Sequence, residues 1–326
     1  MVRVLVTGAS GFIGSRLVKK LRERGREYEV TEMVRYQSGG RFNYYDQVQR
    51  VFVDIRDAKE VYDAVLKAKP EVIIHLAAMS AVAYSFDHSE EVNDVNYMGT
   101  VRVANAAREV GAWLIMAGTS EVYGRGDHVY PLTEAERYGG TSPYAASKIA
   151  AIEYLKVQES VHHLPVTIMV PFNTIGRALV PPGGNRHFVV ERAITQAIET
   201  GSIELHDPRP VRDFMFRDDH VEAYIRVVQN RDKAVGETFN ICTGDAISIE
   251  TMAYKVADLV SEKTGKAVSV AFTQVPDRPL DIATLHGSNK KALGVLGWMP
   301  LYTIGQALER AVEEWTGILK ATSGPA

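Results

Sequence analysis

Tyr144 and Lys148 stand four residues apart in the pattern Y-x-x-x-K. On a helix, residues i and i+4 share one face, so this spacing points the phenol and the ammonium the same way. A nearby ammonium favours the phenolate and lowers the pKa of the phenol, and a tyrosinate can take the proton of an alcohol while hydride leaves its carbon. The pair therefore predicts alcohol oxidation with a nicotinamide cofactor.

A second group of chemically capable residues follows the apolar stretch 112–117, which we predict to be a strand: Thr119, Ser120 and Glu121. A hydroxyl there can hydrogen-bond the same alcohol. A glutamate in a closed site can remove a proton next to the new carbonyl and then protonate a departing hydroxyl. Oxidation alone needs no such group, so Glu121 indicates an elimination of water that follows the oxidation.

A glycine-rich turn of spacing G-x-x-G-x-x-G separates the first apolar stretch, 2–7, from an amphipathic one, 12–23. Gly8 permits a tight turn, Gly11 lets backbone N–H groups approach a pyrophosphate, and Gly14 lets the helix pack closely on the strand. The start of the helix adds partial positive charge for the phosphates. The candidate dinucleotide contacts in this turn are Gly8, Ser10, Gly11, Phe12, Ile13 and Gly14.

The end of the second predicted strand, 28–34, indicates which dinucleotide binds. An NAD site usually carries an acid there for the ribose 2′-hydroxyl, whereas an arginine accommodates a 2′-phosphate. Val34 stands where the acid would be and Arg35 follows it. We therefore expect NADP, with NAD less favoured; Glu32 would serve as the acid if the strand were aligned two residues differently.

These residues need a scaffold, and the first half of the chain alternates β-rich and helical stretches. That order predicts an α/β fold, a Rossmann-type doubly wound parallel sheet with helices on both faces. We assign residues 1–172 to a dinucleotide-binding domain, 173–320 to a smaller C-terminal α+β lobe that binds substrate, and 321–326 to a flexible tail. Predicted strands cover 2–7, 28–34, 51–53, 72–78, 112–117, 166–171, 203–206, 238–242 and 268–272; predicted helices cover 12–23, 58–68, 90–110, 142–161, 187–200, 218–230, 249–264 and 304–319.

Composition excludes several other classes of protein. Among 326 residues, 46% are hydrophobic, 24% are charged, and the net charge is −3. No basic excess exists for nucleic acid or a membrane surface, and the longest uncharged stretch, 72–86, is too short to span a bilayer. The single cysteine, Cys242, excludes an internal disulfide and a cysteine-rich metal site, is expected to be a small core residue, and favours the cytoplasm. We expect no metal, and we read the N-terminus as the first strand rather than a signal peptide.

Together the motifs resemble the extended short-chain dehydrogenase/reductase family, whose members act mostly on nucleotide sugars. The resemblance makes Tyr144 and Lys148 catalytic, and matches Thr119 and Glu121 to the catalytic threonine and glutamate of the 4,6-dehydratases. The strand ending Val-Arg-Tyr resembles the GDP-mannose and UDP-N-acetylglucosamine 4,6-dehydratase branches. The string T-S-E-V-Y-G is also similar to that of UDP-glucuronate decarboxylases.

The resemblance also implies further binding residues. On the cofactor side they are Asp54, Ile55, Leu76, Ala77, Ala78 and Pro171, beside Tyr144 and Lys148. On the substrate side they are Ser80, Ser120, Asn173, Asn185, Arg186, Arg212 and Arg278, of which the arginines suit a diphosphate. Arg177 stands where the family usually has a proline. His75, inside the fourth predicted strand, is expected to be a hydrogen-bonded core residue.

The expected function is a nucleotide-sugar 4,6-dehydratase, with UDP-N-acetylglucosamine or GDP-mannose favoured as substrate over dTDP-glucose. The alternatives are a 4-epimerase or a UDP-uronate decarboxylase of the same family and, from a different class, a non-catalytic NADP-binding module. The resemblance also implies a homodimer through a four-helix bundle built from 90–110 and 142–161. Apolar side chains that suit such a bundle, and equally suit the core, are Val103, Ala107, Ile152 and Leu155.

Overall fold

A computed structural model of the chain describes residues 1–35, 49–177, 188–273 and 282–322, with side chains as far as residue 317. Fourteen strands lie within these ranges. They are β1 Val2–Thr7, β2 Tyr28–Val34, β3 Gln49–Phe52, β4 Val72–His75, β5 Trp113–Ala117, β6 Val166–Pro171, β7 Asn173–Ile175, β8 Ser202–Leu205, β9 Val211–Arg212, β10 Phe214–Phe216, β11 Thr238–Ile241, β12 Ile247–Ser248, β13 Ser269–Phe272 and β14 Thr284–Leu285.

Twelve α-helices lie in the same ranges. They are α1 Phe12–Glu23, α2 Ala58–Ala68, α3 Val82–Asp87, α4 Ser89–Asn93, α5 Gly99–Val110, α6 Pro143–His162, α7 Val189–Thr200, α8 Arg217–Gln229, α9 Arg231–Ala234, α10 Ile249–Thr264, α11 Lys290–Leu296 and α12 Ile304–Thr322. A π-helical turn, Asp94–Met98, joins α4 to α5, and a 3₁₀ turn, Ser120–Val122, follows β5.

The main sheet has seven strands in the order β11-β6-β5-β4-β1-β2-β3, and every neighbouring pair is parallel. Its central strands β4, β5 and β6 are predominantly apolar on both faces, as strands covered by helices on both sides are. The predicted doubly wound, Rossmann-type sheet is therefore confirmed. The order reverses between β1 and β4, and ligands of such sheets bind in the crevice that opens there at the carboxyl ends of the strands.

Three small sheets form most of the second half: β7 with β10, β9 between β12 and β14, and β8 with β13. Helices α7, α10 and α12 share one apolar cluster with strands β7, β8, β10, β12 and β13. The chain then returns to the first half, because β11 extends the main sheet beside β6. Helix α8 also packs on α1, where Arg16 binds Asp218 with two hydrogen bonds of 2.6 and 2.7 Å. The division into domains at residue 172 remains a prediction. The main sheet contains strands from before and after this residue.

Several predicted bounds shift. The helix predicted over 90–110 consists of α4, the π-helical turn and α5. The strand predicted over 72–78 ends at His75, because its neighbour β1 ends at Thr7, where the glycine turn begins. Helix α12 continues through Thr322, beyond the predicted start of the tail at 321, and residues 323–326 lie outside the described ranges.

The four apolar residues named for the helix bundle are core residues. Val103, Ala107, Ile152 and Leu155 are each 0% exposed and pack inside the chain's own apolar cluster. Their positions on α5 and α6 face the sheet, so the alternative of core packing is correct and they contribute nothing to an outer surface. The homodimer stays a prediction. Cys242 is buried in the same cluster, as expected.

In the part of the chain that the structure describes, no helix combines the length and the hydropathy that crossing a membrane requires. Among the same residues, no group of three or more histidine, cysteine, aspartate or glutamate side chains is arranged to hold a metal ion.

Candidate active site

The glycine turn forms a cradle that only glycine can build. Gly8 has φ +66°, and a Cβ there would lie 2.8 Å from the backbone nitrogen of Ala77, just past the end of β4. A Cβ on Gly14 would overlap the carbonyl oxygen of Gly8. The turn leads directly into the N-terminus of α1, at the crevice between β1 and β4. This close backbone packing at a helix start fits the pyrophosphate of a dinucleotide.

His75 supports the floor of this cradle. Its Nδ1 lies 2.7 Å from the Thr7 hydroxyl and its Nε2 lies 3.1 Å from the Thr100 hydroxyl. The backbone N–H of Ala77 donates to the same Thr7 hydroxyl at 3.1 Å. Burial, with the Lys148 ammonium nearby, lowers the pKa of His75 to about 3, so the ring is neutral. The expectation of a hydrogen-bonded core histidine is confirmed.

Asn96, in the π-helical turn, links the cradle to the catalytic helix. Its side chain accepts from the backbone N–H of Met79 at 2.8 Å and donates to the Ser147 hydroxyl at 3.0 Å. Ser147 in turn donates to the carbonyl of Tyr144 at 2.7 Å. Sequence reasoning missed Asn96. Only the structure marks this residue, by its burial in a π-helical turn. Such turns often occur at functional sites.

Helix α6 carries the Y-x-x-x-K pair. Ser142 caps its N-terminus by accepting from the N–H of Ala145 at 3.1 Å, and Pro143 occupies the first turn. Tyr144 and Lys148 are both buried. The Lys148 Nζ donates to the carbonyl of Ala117, the last residue of β5, at 2.9 Å, and burial lowers the pKa of Lys148 to about 8.

The pKa of Tyr144 moves in the direction opposite to the one expected. Burial raises it to about 12; a hydrogen bond with Thr119 lowers it, and the nearby Glu121 carboxylate raises it. The pKa of this phenol is therefore raised overall, and not lowered as expected from the Lys148 ammonium. The reason is that burial outweighs the other effects, while the Lys148 ammonium is directed at a backbone carbonyl.

Thr119, Ser120 and Glu121 lie where β5 ends. The Thr119 hydroxyl accepts from the backbone N–H of Glu121 at 3.3 Å and so caps the 3₁₀ turn. Thr119 and Ser120 are buried and Glu121 is half-buried. The Tyr123 hydroxyl fixes the turn from behind by donating to Asn240 of β11 at 2.5 Å. The structure thus brings Thr119, Glu121 and Tyr144 together at one point of the cleft.

The end of the cleft beside β2 and β3 is rich in charge. Asp54, after β3, binds Arg56 at 2.7 Å, and Arg56 and the more distant Arg35 lower the pKa of the Asp54 carboxyl. Arg35 is exposed directly after β2. Glu32 is buried within β2 and its Oε2 accepts from Arg50 of β3 at 2.7 and 2.8 Å. Glu32, the alternative acid for the ribose hydroxyl, is therefore already engaged in an ion pair with Arg50 of the neighbouring strand.

The second half carries residues predicted to contact the substrate. Asn173 of β7 donates to the Asp213 carbonyl at 3.3 Å, and the Nη1 of Arg212 donates to the Val211 carbonyl at 2.9 Å. Burial raises the pKa of the Asp213 carboxyl to about 7, although it accepts from the N–H and hydroxyl of Thr243 at 2.9 and 2.7 Å. Asp213 therefore fixes the loop beside Arg212, a role that sequence reasoning missed.

The remaining predicted residues divide into two groups. Those at the carboxyl ends of strands, where the fold expects ligands, are Ile55, Leu76, Ala77, Ala78 and Pro171, and Ser80 is exposed a few residues after β4. Asn185, Arg186 and Arg278 lie outside the described residues.

Comparison with known proteins gives a consistent result. The family model of GDP-mannose 4,6 dehydratase matches residues 5–311. A UDP-glucose 4-epimerase of Mycolicibacterium smegmatis is 32% identical over 319 residues, which cover 96% of this chain and 98% of that protein. A UDP-N-acetyl-alpha-D-glucosaminuronate decarboxylase of Bacillus cytotoxicus is 31% identical over 301 residues, or 87% of this chain and 90% of that protein.

Solved structures share the fold over nearly the whole chain. The UDP-glucose 4-epimerase of Thermus thermophilus, solved in complex with NAD, superposes with a TM-score of 0.84 at 28% identity. The match covers 97% of this chain and 99% of that one. The glycine cradle and the residues at the strand ends therefore lie in a fold shared with a protein that was solved with NAD bound.

Proposed function

Because the chain belongs to the family of nucleotide-sugar epimerases and dehydratases within the extended short-chain dehydrogenases/reductases, we propose that it is a nucleotide-sugar 4,6-dehydratase. The observation that carries the proposal is the position of Glu121 in the 3₁₀ turn after β5. Its backbone N–H donates to the Thr119 hydroxyl, and Thr119 also hydrogen-bonds to the Tyr144 phenol. A second proton-transferring group beside the first is what dehydration needs and simple oxidation does not.

The first half of the reaction oxidises C4 of the sugar. The Tyr144 phenol and the Thr119 hydroxyl bind the C4 hydroxyl, and Tyr144 removes its proton. The Lys148 ammonium stabilises the Tyr144 phenolate. It does so after contacts with the ligands replace its hydrogen bond to the Ala117 carbonyl. A nicotinamide dinucleotide held by the glycine turn would supply the reversible hydride acceptor. The cradle of Gly8, Gly11 and Gly14 orients the dinucleotide and excludes water behind it.

The second half removes water across C5 and C6. The 4-keto group makes the C5 proton acidic, and Glu121 takes it. Glu121 then returns this proton to the C6 hydroxyl, which leaves as water while the C5–C6 double bond forms. Hydride returns to C6 and a solvent proton adds at C5, so the product is a 4-keto-6-deoxy sugar. Hydride is recovered in each turnover, so no external reductant is consumed.

We propose NADP as the dinucleotide, supported by Arg35, which is exposed directly after β2, and by the engagement of Glu32 with Arg50. The NAD bound to the structural relative makes NAD the competing assignment. Arg35→Asp should lower the affinity for NADP⁺ about tenfold or more relative to NAD⁺. Equal losses of affinity for NADP⁺ and NAD⁺, measured by titration, would show that Arg35 does not contact the 2′-phosphate.

The proposed substrate is a nucleoside diphosphate hexose, with UDP-N-acetylglucosamine and GDP-mannose favoured. Arg212 and Asn173, on adjacent elements of the second half, support recognition of the diphosphate and the sugar. We further propose a cytoplasmic homodimer, for which the exposed apolar side chains of Val157 and Val161 on α6 are the available surface. Sedimentation as a lone chain at micromolar concentration would refute the dimer.

A 4-epimerase is the second candidate, favoured by the 32% identity to the mycobacterial UDP-glucose 4-epimerase. Its chemistry would use Thr119, Tyr144 and Lys148 and leave Glu121 as a structural residue. A uronate decarboxylase, suggested by the relative at 31% identity, would lose carbon dioxide after the same oxidation.

One experiment separates these reactions. The protein is incubated in D₂O with UDP-, GDP-, CDP- and dTDP-hexoses and UDP-uronates, and products are followed by mass spectrometry. Dehydration predicts loss of one water with one deuterium retained at C5, from one nucleotide sugar. An unchanged mass with inverted configuration would establish the epimerase, loss of carbon dioxide the decarboxylase, and either would overturn the proposal. No turnover of any sugar, with the dinucleotide still bound, would favour a non-catalytic module.

A further inference from the structure

Two buried polar atoms on one face of α8 lack hydrogen-bond partners among the residues that the structure describes: the Nε2 of His220 and the hydroxyl of Tyr224. His220 is 4% exposed and Tyr224 is 0% exposed. Their rings stack with centroids 5.3 Å apart and planes 27° apart. Buried polar groups are almost always paired, so two neighbouring unpaired atoms require partners that the described side chains do not supply.

The two atoms have opposite hydrogen-bonding roles. The Thr174 hydroxyl donates to the Phe172 carbonyl at 3.3 Å, so its oxygen accepts from the Nδ1–H of His220 at 3.0 Å. Burial lowers the pKa of His220 to about 3, which leaves the ring neutral and Nε2 a bare acceptor. Burial, and then the nearby phenol of Tyr144, raise the pKa of Tyr224, so its hydroxyl remains a donor.

The pair lies on the side of the main sheet where the carboxyl ends of its strands are. His220 bonds to Thr174 of β7, which follows the carboxyl end of β6. Tyr224 belongs to the apolar cluster against which Ile13 of the glycine turn and Leu76 after β4 pack. An acceptor and a donor therefore lie near the glycine turn and the carboxyl ends of β4 and β6, the side of such a sheet on which a dinucleotide binds. The raised pKa of Tyr224, to which the Tyr144 phenol contributes, agrees with this position.

We propose that His220 and Tyr224 bind the carboxamide of the nicotinamide ring. The Nε2 of His220 accepts from the carboxamide NH₂, and the Tyr224 hydroxyl donates to the carboxamide carbonyl. A nicotinamide ring whose carboxamide is held at both its nitrogen and its oxygen cannot flip. One face of the ring therefore stays toward Tyr144 and the sugar. The assignment rests on dinucleotide binding by the proposed function and is independent of whether the reaction is a dehydration.

Binding measurements test this assignment without any turnover. Dissociation constants are measured for NAD⁺ and NADP⁺ and for their nicotinamide-free counterparts, ADP-ribose and its 2′-phosphate. Tyr224→Phe and His220→Asn should each weaken dinucleotide binding about five- to tenfold and leave the counterparts unchanged. The asparagine can keep the bond to Thr174 while it removes Nε2. The 3-acetylpyridine analogue of NAD⁺ lacks the NH₂, so His220→Asn should not weaken its binding.

Tyr28→Phe is the matched control, because Tyr28 is a buried tyrosine at the amino end of β2, away from the cleft, and its hydroxyl bonds to Gln229. It should leave every dissociation constant unchanged. Equal weakening of dinucleotide and counterpart would assign His220 and Tyr224 a purely structural role and overturn the proposal. So would unchanged affinity in both variants. If Tyr224→Phe fails to fold, His220→Asn and the acetylpyridine analogue decide the matter alone. A protein that binds as predicted yet dehydrates no sugar would refute only the proposed reaction.

Discussion

His75 and His220 are both buried imidazoles, and burial lowers the pKa of each to about 3. They differ in their partners. His75 has a threonine hydroxyl at each ring nitrogen, from Thr7 and Thr100. His220 has one, Thr174, and among the described residues its other nitrogen has none. The first lies under the glycine cradle between β1 and β4, and the second lies on α8, where it bonds to Thr174 of β7.

The difference separates a scaffold from a binding surface. On the β1–β4 side, buried polar side chains bind one another, as Asn96 binds Ser147 and the Met79 backbone, so a substitution there should cost mainly stability. On the α6–α8 side, Tyr144 and Tyr224 retain hydrogen-bonding capacity for ligands, so a substitution there should cost mainly binding or turnover. Three predictions test this contrast, ordered by expected effect.

The largest effect is expected for Tyr144→Phe. Removal of the hydroxyl that takes the substrate proton should lower kcat about 10³-fold while the free energy of unfolding changes by no more than about 1 kcal/mol. Steady-state turnover and denaturant unfolding measure the two quantities. Tyr154→Phe is the control on the same helix, since its hydroxyl bonds to Asn105 at 3.1 Å at the surface. Comparable losses of turnover in the two variants would contradict the contrast.

Gly8→Ala should lower the free energy of unfolding more than Tyr144→Phe does. Gly8 and Gly25 have nearly the same backbone angle, φ +66° and +63°, but a Cβ on Gly25 meets nothing within 4 Å. The strain common to both costs about 1 kcal/mol, and the overlap with Ala77 should bring the loss at Gly8 to about 3 kcal/mol. Equilibrium unfolding of both variants measures the difference. Equal destabilisation would mean that the cradle has room for a side chain.

The smallest effect is a pH dependence shared by the two histidines. Each has a native pKa of about 3, below the ordinary value of 6.5, so its contribution to stability is present above pH 6.5 and is lost as the pH falls toward 3. Between about pH 7.5 and 5.5 the free energy of unfolding should fall by about 1.4 kcal/mol for each histidine. His220→Asn should remove one of the two contributions. An unchanged slope in that variant, measured by denaturant unfolding, would show that His220 is not buried as a neutral ring.

Much of the scaffold could be predicted from the sequence because its signals are local. The bounds of β1, α1, β2, α2, β6 and α10 match their predictions residue for residue, since each is an apolar stretch or an amphipathic helix with a clear end. The glycine turn could be predicted because its spacing follows from backbone crowding at the start of α1. The grouping of Thr119 and Tyr144 could be predicted because both follow the carboxyl edge of the sheet.

The rest depends on contacts between distant segments. Asn96 matters only because the loop after β4 and helix α6 meet there. Strand β11 joins the main sheet from the second half, a pairing that no local pattern encodes. His220 and Tyr224 are two residues in an ordinary amphipathic helix until burial leaves them unpaired. The pKa of Tyr144 could not be predicted from a neighbouring lysine, because burial dominates it.

The central claim is that Glu121 turns an alcohol oxidation into a dehydration, and the fate of hydrogen at C4 tests it most directly. The nucleotide hexose that the protein consumes is labelled with deuterium at C4 and converted by the wild type and by Glu121→Gln. The account predicts that the wild type delivers the deuterium to C6 of a 4-keto-6-deoxy product. The variant should instead stop after oxidation, with reduced nicotinamide accumulating on the protein. Deuterium returned to C4 with inverted configuration, at equal rates in wild type and variant, would contradict the account.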